Sequence, residues 1–134
     1  MILALTSLGI GLCGFVAGVK GHHVDSALNI IISLCSTLRH AHGADDSKYR
    51  GGQIIGFVDR AVAKIITVKY FYESVKMGLV GLPTTLSCAY VVCVFYKKIA
   101  ISKEFYKKGE LPIWHMSMHL VGEFGVLYKH LVTN

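Results

Sequence analysis

His115 and His119 stand four residues apart in the stretch Trp114-His115-Met116-Ser117-Met118-His119. On a helix that spacing is about one turn, roughly 6 Å of rise, and both rings point to nearly the same side. The pair can therefore hold one metal ion. Their neighbours Ile113, Leu120, Val121, Phe124, Val126 and Leu127 are apolar enough for lipid, where an imidazole needs a partner or carries a cost. His40, at the end of an earlier apolar segment, is the imidazole expected to join them. Three neutral imidazoles bind zinc and leave a fourth position for water, as in a catalytic rather than a closed structural site. Zinc lowers the pKa of that water toward neutrality, which makes it a nucleophile for an amide or ester carbonyl. Asp59 is then the general base or the group that orients the water. Ser36 precedes His40 by four residues and faces the same side one turn deeper. Its hydroxyl can orient the water or donate to charge developing on the substrate oxygen.

The elements that must position these residues are helices. A chain of 134 residues suits a single domain over 1–134 and is short for two. With 53% hydrophobic and 16% charged residues and a positive mean hydropathy, the composition departs from that of soluble domains. The expected fold class is all-α, a polytopic transmembrane helical bundle of about five spans. Nucleic acid is not the expected partner despite a net charge of +6, because the basic residues sit between apolar runs and form no continuous stripe. A membrane surface is the better counter-charge. Cys13, Cys35, Cys88 and Cys93 lie inside apolar runs without metal-ligand spacing, so they read as small buried residues rather than a disulfide framework.

The first segment, Met1 to Val19, has no charge before Lys20. A secretory signal competes with the spanning reading, since Gly11 to Gly18 is rich in small residues, but the segment lacks a basic n-region and is longer than a usual h-region. The short connection around His22 and His23 makes segments one and two antiparallel neighbours. Segment two, about Val24 to His40, carries small polar residues that normally face other helices. A polar turn over 44–52 follows. Segment three, about Gln53 to Tyr72, carries Asp59, Arg60, Lys64 and Lys69. It is read as shielded within the bundle with its lysines snorkelling outward, ahead of an amphipathic helix lying in the interface. Segment four, about Val75 to Tyr96, has Pro83 near its middle, which predicts a kink. A basic connection leads to segment five, about Leu111 to Val132, with Pro112 close to its first turn.

Loop charges orient the five segments. Lys48, Arg50, Lys97, Lys98, Lys103, Lys107 and Lys108 share a side with the N-terminus, against Lys20, Lys76 and Lys129 on the other. The positive-inside bias puts the N-terminus in the cytosol and the C-terminus outside or in a lumen. His40 then ends its helix on the cytosolic side, while Asp59, His115 and His119 lie near the start of theirs. All four reach a common depth.

Ser36-x-x-x-His40 late in an early span, an aspartate, Asp59, in the next and His115-x-x-x-His119 in the last resemble the three motifs of the CREST superfamily. Its members include alkaline ceramidases, progestin and adipoQ receptors and hemolysin III-like proteins. The resemblance implies a helical membrane bundle holding Zn2+ on three histidines near the cytosolic face. It also implies ceramidase-like hydrolysis of a lipid amide or ester. Members typically have seven spans, two more than this chain; removing two preserves the direction of the last helix. Either the chain encloses a smaller cavity, or a second copy or another subunit completes the wall.

Two further classes stay open. His40 with His115 or His119 also suits the axial positions of a haem in a small redox subunit. A receptor or assembly subunit would keep the metal as a staple. The residues have plainer readings too: His40 as part of a polar helix end, His115 and His119 in hydrogen bonds across helices, Asp59 neutralising Arg60 or Lys64, and Ser36 as packing. His22 and His23 read as loop residues and His130 as interfacial. Glu123 continues the His115, His119 stripe, either supporting the site or packing against Lys129 or a backbone donor.

Overall fold

The structure, a computed structural model, describes residues 2–41, 50–100 and 113–133. His42, Lys48, Lys103, Lys107, Lys108, Pro112 and most of the expected polar turn lie outside them. The described residues are helical, without a strand: α1 (Ile2–Val19), α2 (His23–Ala41), α3 (Arg50–Lys76), α4 (Leu82–Val94) and α5 (Ile113–Val132).

α1 is an uninterrupted apolar helix that stops at Gly21. There φ is 82°, in the left-handed region that glycine enters without strain. The His22 amide donates to the Ala17 carbonyl at 2.9 Å and the Gly21 amide to the Gly18 carbonyl at 3.0 Å. This pair of bonds is the Schellman closure, and it reverses the chain within three residues. α3 runs further than expected at both ends, since no proline interrupts it and the next left-handed glycine is Gly78, with φ 66°. A short 3-10 turn, Gly78–Gly81, links it to α4.

Pro83 therefore does not kink the middle of a helix. It sits in the first turn of α4, where a missing N–H leaves no intrahelical bond unmade. α4 then widens into a π turn at Phe95–Ala100.

The packing is a ring. Each helix lies against its neighbour in the chain, across the 50–112 stretch as far as it is described, and α5 returns to α1. The most extensive packing is between α1 and α2. A Cβ on Gly11 would come within 2.9 Å of Ser33 Oγ, and one on Gly14 within 3.1 Å of the Ser26 carbonyl, so small residues let the two helices approach closely.

Polarity is arranged with the apolar side outward. Leu5, Leu8, Leu12 and Phe15 of α1, Phe57 and Val68 of α3 and Phe124 of α5 are exposed. Asn29, Ser33, Asp59, Thr84, Lys129 and the four histidines His40, His115, His119 and His130 are among the buried groups. Ile32, Ile66, Tyr70 and Cys88 form a small apolar cluster inside the ring.

Candidate metal centre

One end of the ring gathers His40 from the last turn of α2 and His115 and His119 from the first turns of α5. Ring centroids are 4.9 Å apart for His40 and His115, 5.6 Å for His40 and His119, and 4.6 Å for His115 and His119. One ligand nitrogen from each lies within 4.8 Å of the others, and all three residues are buried. A tetrahedral zinc at ~2.0–2.1 Å from each nitrogen would hold them about 3.3 Å apart. Closing that gap asks for side-chain adjustments of an ångström or so.

Hydrogen bonds decide which nitrogens are open. Thr6 Oγ1 of α1 lies 3.0 Å from the Leu3 carbonyl and 2.9 Å from His119 Nδ1. It engages the ring through Nδ1 and leaves Nε2 outside that bond. His40 Nε2 is buried with no hydrogen-bond partner among the described residues, an atom that costs free energy unless something binds it. These two nitrogens fit a metal ion.

Ser36 Oγ lies 2.8 Å from Ser7 Oγ, which is itself 2.7 Å from the Leu3 carbonyl. Ser36 lines the same cavity as His115 and His119.

Asp59 lies on α3 and accepts from the Arg39 guanidinium at 3.1 Å. Both line a cavity of about 450 Å³ with Ser36, His115 and His119; His40 reaches it through its contacts with the other two rings. Residues of all five helices line the cavity. Glu123, one turn beyond His119, also faces it, its carboxylate against Gly9, where even a methyl group would overlap it. Its Oε1 is buried with no hydrogen-bond partner among the described residues. The expected packing of Glu123 on Lys129 is not found: Lys129 pairs with Asp25 and Glu73.

Thr6 and Ser7 were not among the expected site residues. They are the only hydroxyl residues of α1, and an isolated polar pair in an apolar run is the signal that could have found them. His130, expected at an interface, is fully buried, and His22 packs on it with ring centroids 4.8 Å apart.

The chain matches no family model, no curated protein and no solved structure.

Proposed function

We propose that the chain is a polytopic membrane protein that hydrolyses a lipid amide or ester, with zinc held by His40, His115 and His119, as the resemblance to the CREST motifs suggests. The observation that carries this reading is the meeting of three buried imidazoles from two helices at one end of a cavity that Asp59 also lines. Membrane residence is supported by the outward apolar surface over polar buried groups, since a water-soluble fold would reverse the two. The stretch Gly78–Lys97 has the length and apolarity to cross a bilayer, and Leu3–Val19 is apolar but shorter. The loop charges favour a cytosolic N-terminus.

When bound, zinc supplies the Lewis acidity that makes water a nucleophile near neutral pH. The protein's part is positional. Thr6 holds the His119 ring through Nδ1, Ser36 orients the attacking water, and Asp59 takes its proton. The Arg39 guanidinium holds the Asp59 carboxylate in place and, with Arg60 and Lys64 on the same cavity, offers positive charge to a lipid head. An acyl chain would lie along the apolar length of the cavity, past Ile32, Ile66 and Val126. The haem reading has less support, because axial imidazoles stand on opposite faces of a macrocycle, whereas His40 and His115 stand edge to face at 4.9 Å.

Elemental analysis of detergent-purified protein tests the proposal. About one zinc per chain is expected, lost in His40→Ala and in His119→Ala. Asp59→Asn is expected to retain the metal and lose turnover of an N-acyl or ester lipid. Full metal in both histidine variants overturns the site.

A further inference from the structure

The opposite end of the ring holds a second polar cluster. Along α5, His130 lies eleven residues beyond His119, about 16 Å at 1.5 Å per residue. Asn29, Tyr70 and His130 are each essentially without solvent exposure, and Asn29 and Tyr70 line the inner end of the cavity. Asn29 Nδ2 donates to the Asp25 carbonyl at 2.7 Å, and a carbonyl can only accept, so the orientation of the amide is settled. Its other proton goes to Tyr70 Oη at 3.0 Å. The Tyr70 hydroxyl must then donate to His130 Nε2 at 2.6 Å. That makes His130 the Nδ1–H tautomer, which donates to His22 Nδ1 at 2.7 Å. His22 carries its own proton on Nε2 and is half-exposed in the connection between α1 and α2. Every donor points the same way, from the cavity to the surface.

The charges around this chain cancel. Asp25 of α2 and Glu73 of α3 face Lys69 of α3 and Lys129 of α5, and Asp25 and Glu73 each pair with both lysines. Asp25 Oδ2 also lies 3.6 Å from His130 Nε2, close enough to stabilise a transient positive charge on that ring. His22, Asp25 and His130 approach one another closely enough to hold a metal. A divalent ion there would face two ammonium groups already bound to the only carboxylate of the set, and both nitrogens of His130 are engaged. A proton, which uses those bonds instead of displacing them, is the better occupant.

We infer that Tyr70, His130 and His22 form a proton path from the cavity to the face of the bundle opposite the three-histidine site. An excess proton reaching the cavity as hydronium protonates Tyr70 Oη, leaving water behind, as Tyr70 passes its own proton to His130 Nε2. His130 passes its Nδ1 proton to His22, and His22 releases its Nε2 proton to solvent. One proton moves, no other bond changes, and rotation of the hydroxyl and rings restores the start. Intramembrane histidine and carboxylate chains serve this purpose in pumps and transporters. The inference rests on the membrane part of the proposed function and not on zinc or hydrolysis.

The test is proton flux into vesicles of neutral lipid reconstituted with the full chain, read by an internal pH-sensitive dye under a potassium diffusion potential, with chelator and without lipid substrate. Flux above that of protein-free vesicles is expected, and Tyr70→Phe and His22→Gln are expected to return it to the protein-free rate. Wild-type flux no faster than empty vesicles overturns the path, as does wild-type flux in Tyr70→Phe. Stoichiometric zinc that His22→Gln removes would make the cluster a metal site instead. Should the variants aggregate, the ring nitrogen shifts of 15N-histidine in wild-type protein decide: a proton on Nε2 of His130 contradicts the relay. Metal content measured on the same preparation is a separate outcome, so either reading can fail without the other.

Discussion

A histidine's use to a metal depends on which nitrogen is left open, and in this chain a hydroxyl on α1 engages one of them. Thr6 bonds His119 at Nδ1, which leaves Nε2 as the nitrogen available to an ion. Removing such an outer hydrogen bond typically weakens a metal site 10–100-fold. Thr6→Val is accordingly expected to lower zinc affinity by about that factor while leaving one ion bound at saturation, as competition with a chromogenic chelator would read. The i,i+4 histidines and Ser36-x-x-x-His40 were legible from spacing alone, because helical periodicity puts both members of each pair on one side. Thr6 and Ser7 were not, since a hydroxyl in an apolar run also satisfies itself on its own helix.

Between elements, close approach and charge pairing carry the arrangement. A Cβ on Gly125 of α5 would come 2.5 Å from the Ser87 Cβ of α4, whereas one on Gly122 would meet Val91 at an ordinary 3.4 Å. Gly125→Val should therefore cost about 1–3 kcal/mol of overpacking, and Gly122→Ala much less, as thermal unfolding in detergent would show. At the other end Lys129 is 8% exposed and Lys69 29%, although both bind Asp25 and Glu73. Removing the buried partner strands charge that water cannot reach, so Lys129→Met is expected to lose about 3–5 kcal/mol in denaturant titration, and Lys69→Met less. Sequence reading treated Lys69 as snorkelling, Lys129 as a charge at the helix end and His130 as interfacial. That is the fate of a cation on an isolated helix, and only a neighbouring helix with the opposite charge changes it. Pro83 is a similar case: its effect depends on where the helix begins, and Gly78 and Gly81 move that start to Leu82.

At the scale of the molecule, the five α-helices of the described residues close a ring around a cavity that each of them lines. In a bilayer an odd number of spans puts the termini on opposite sides. Tags at the two ends should thus show opposite protease protection in sealed vesicles, and equal protection would remove the proposed topology and its cytosolic placement of the site. Cys93 is exposed on the outer surface while Cys13 and Cys88 are buried. A membrane-permeant maleimide should label Cys93 in the folded protein and reach Cys13 and Cys88 only after unfolding, with labelling followed by mass spectrometry. Composition and periodicity by themselves determined the helical class, the extents of α1, α2 and α5 to within a few residues, and the candidate ligands, because these follow from local backbone preference and the 3.6-residue repeat. Which helices touch, which hydroxyl locks which imidazole, and where Lys129 finds its carboxylates were decided only by the tertiary structure. Partners such as Thr6 and His119, or Asp25 and Lys129, lie more than a hundred residues apart, and no local pattern encodes their meeting.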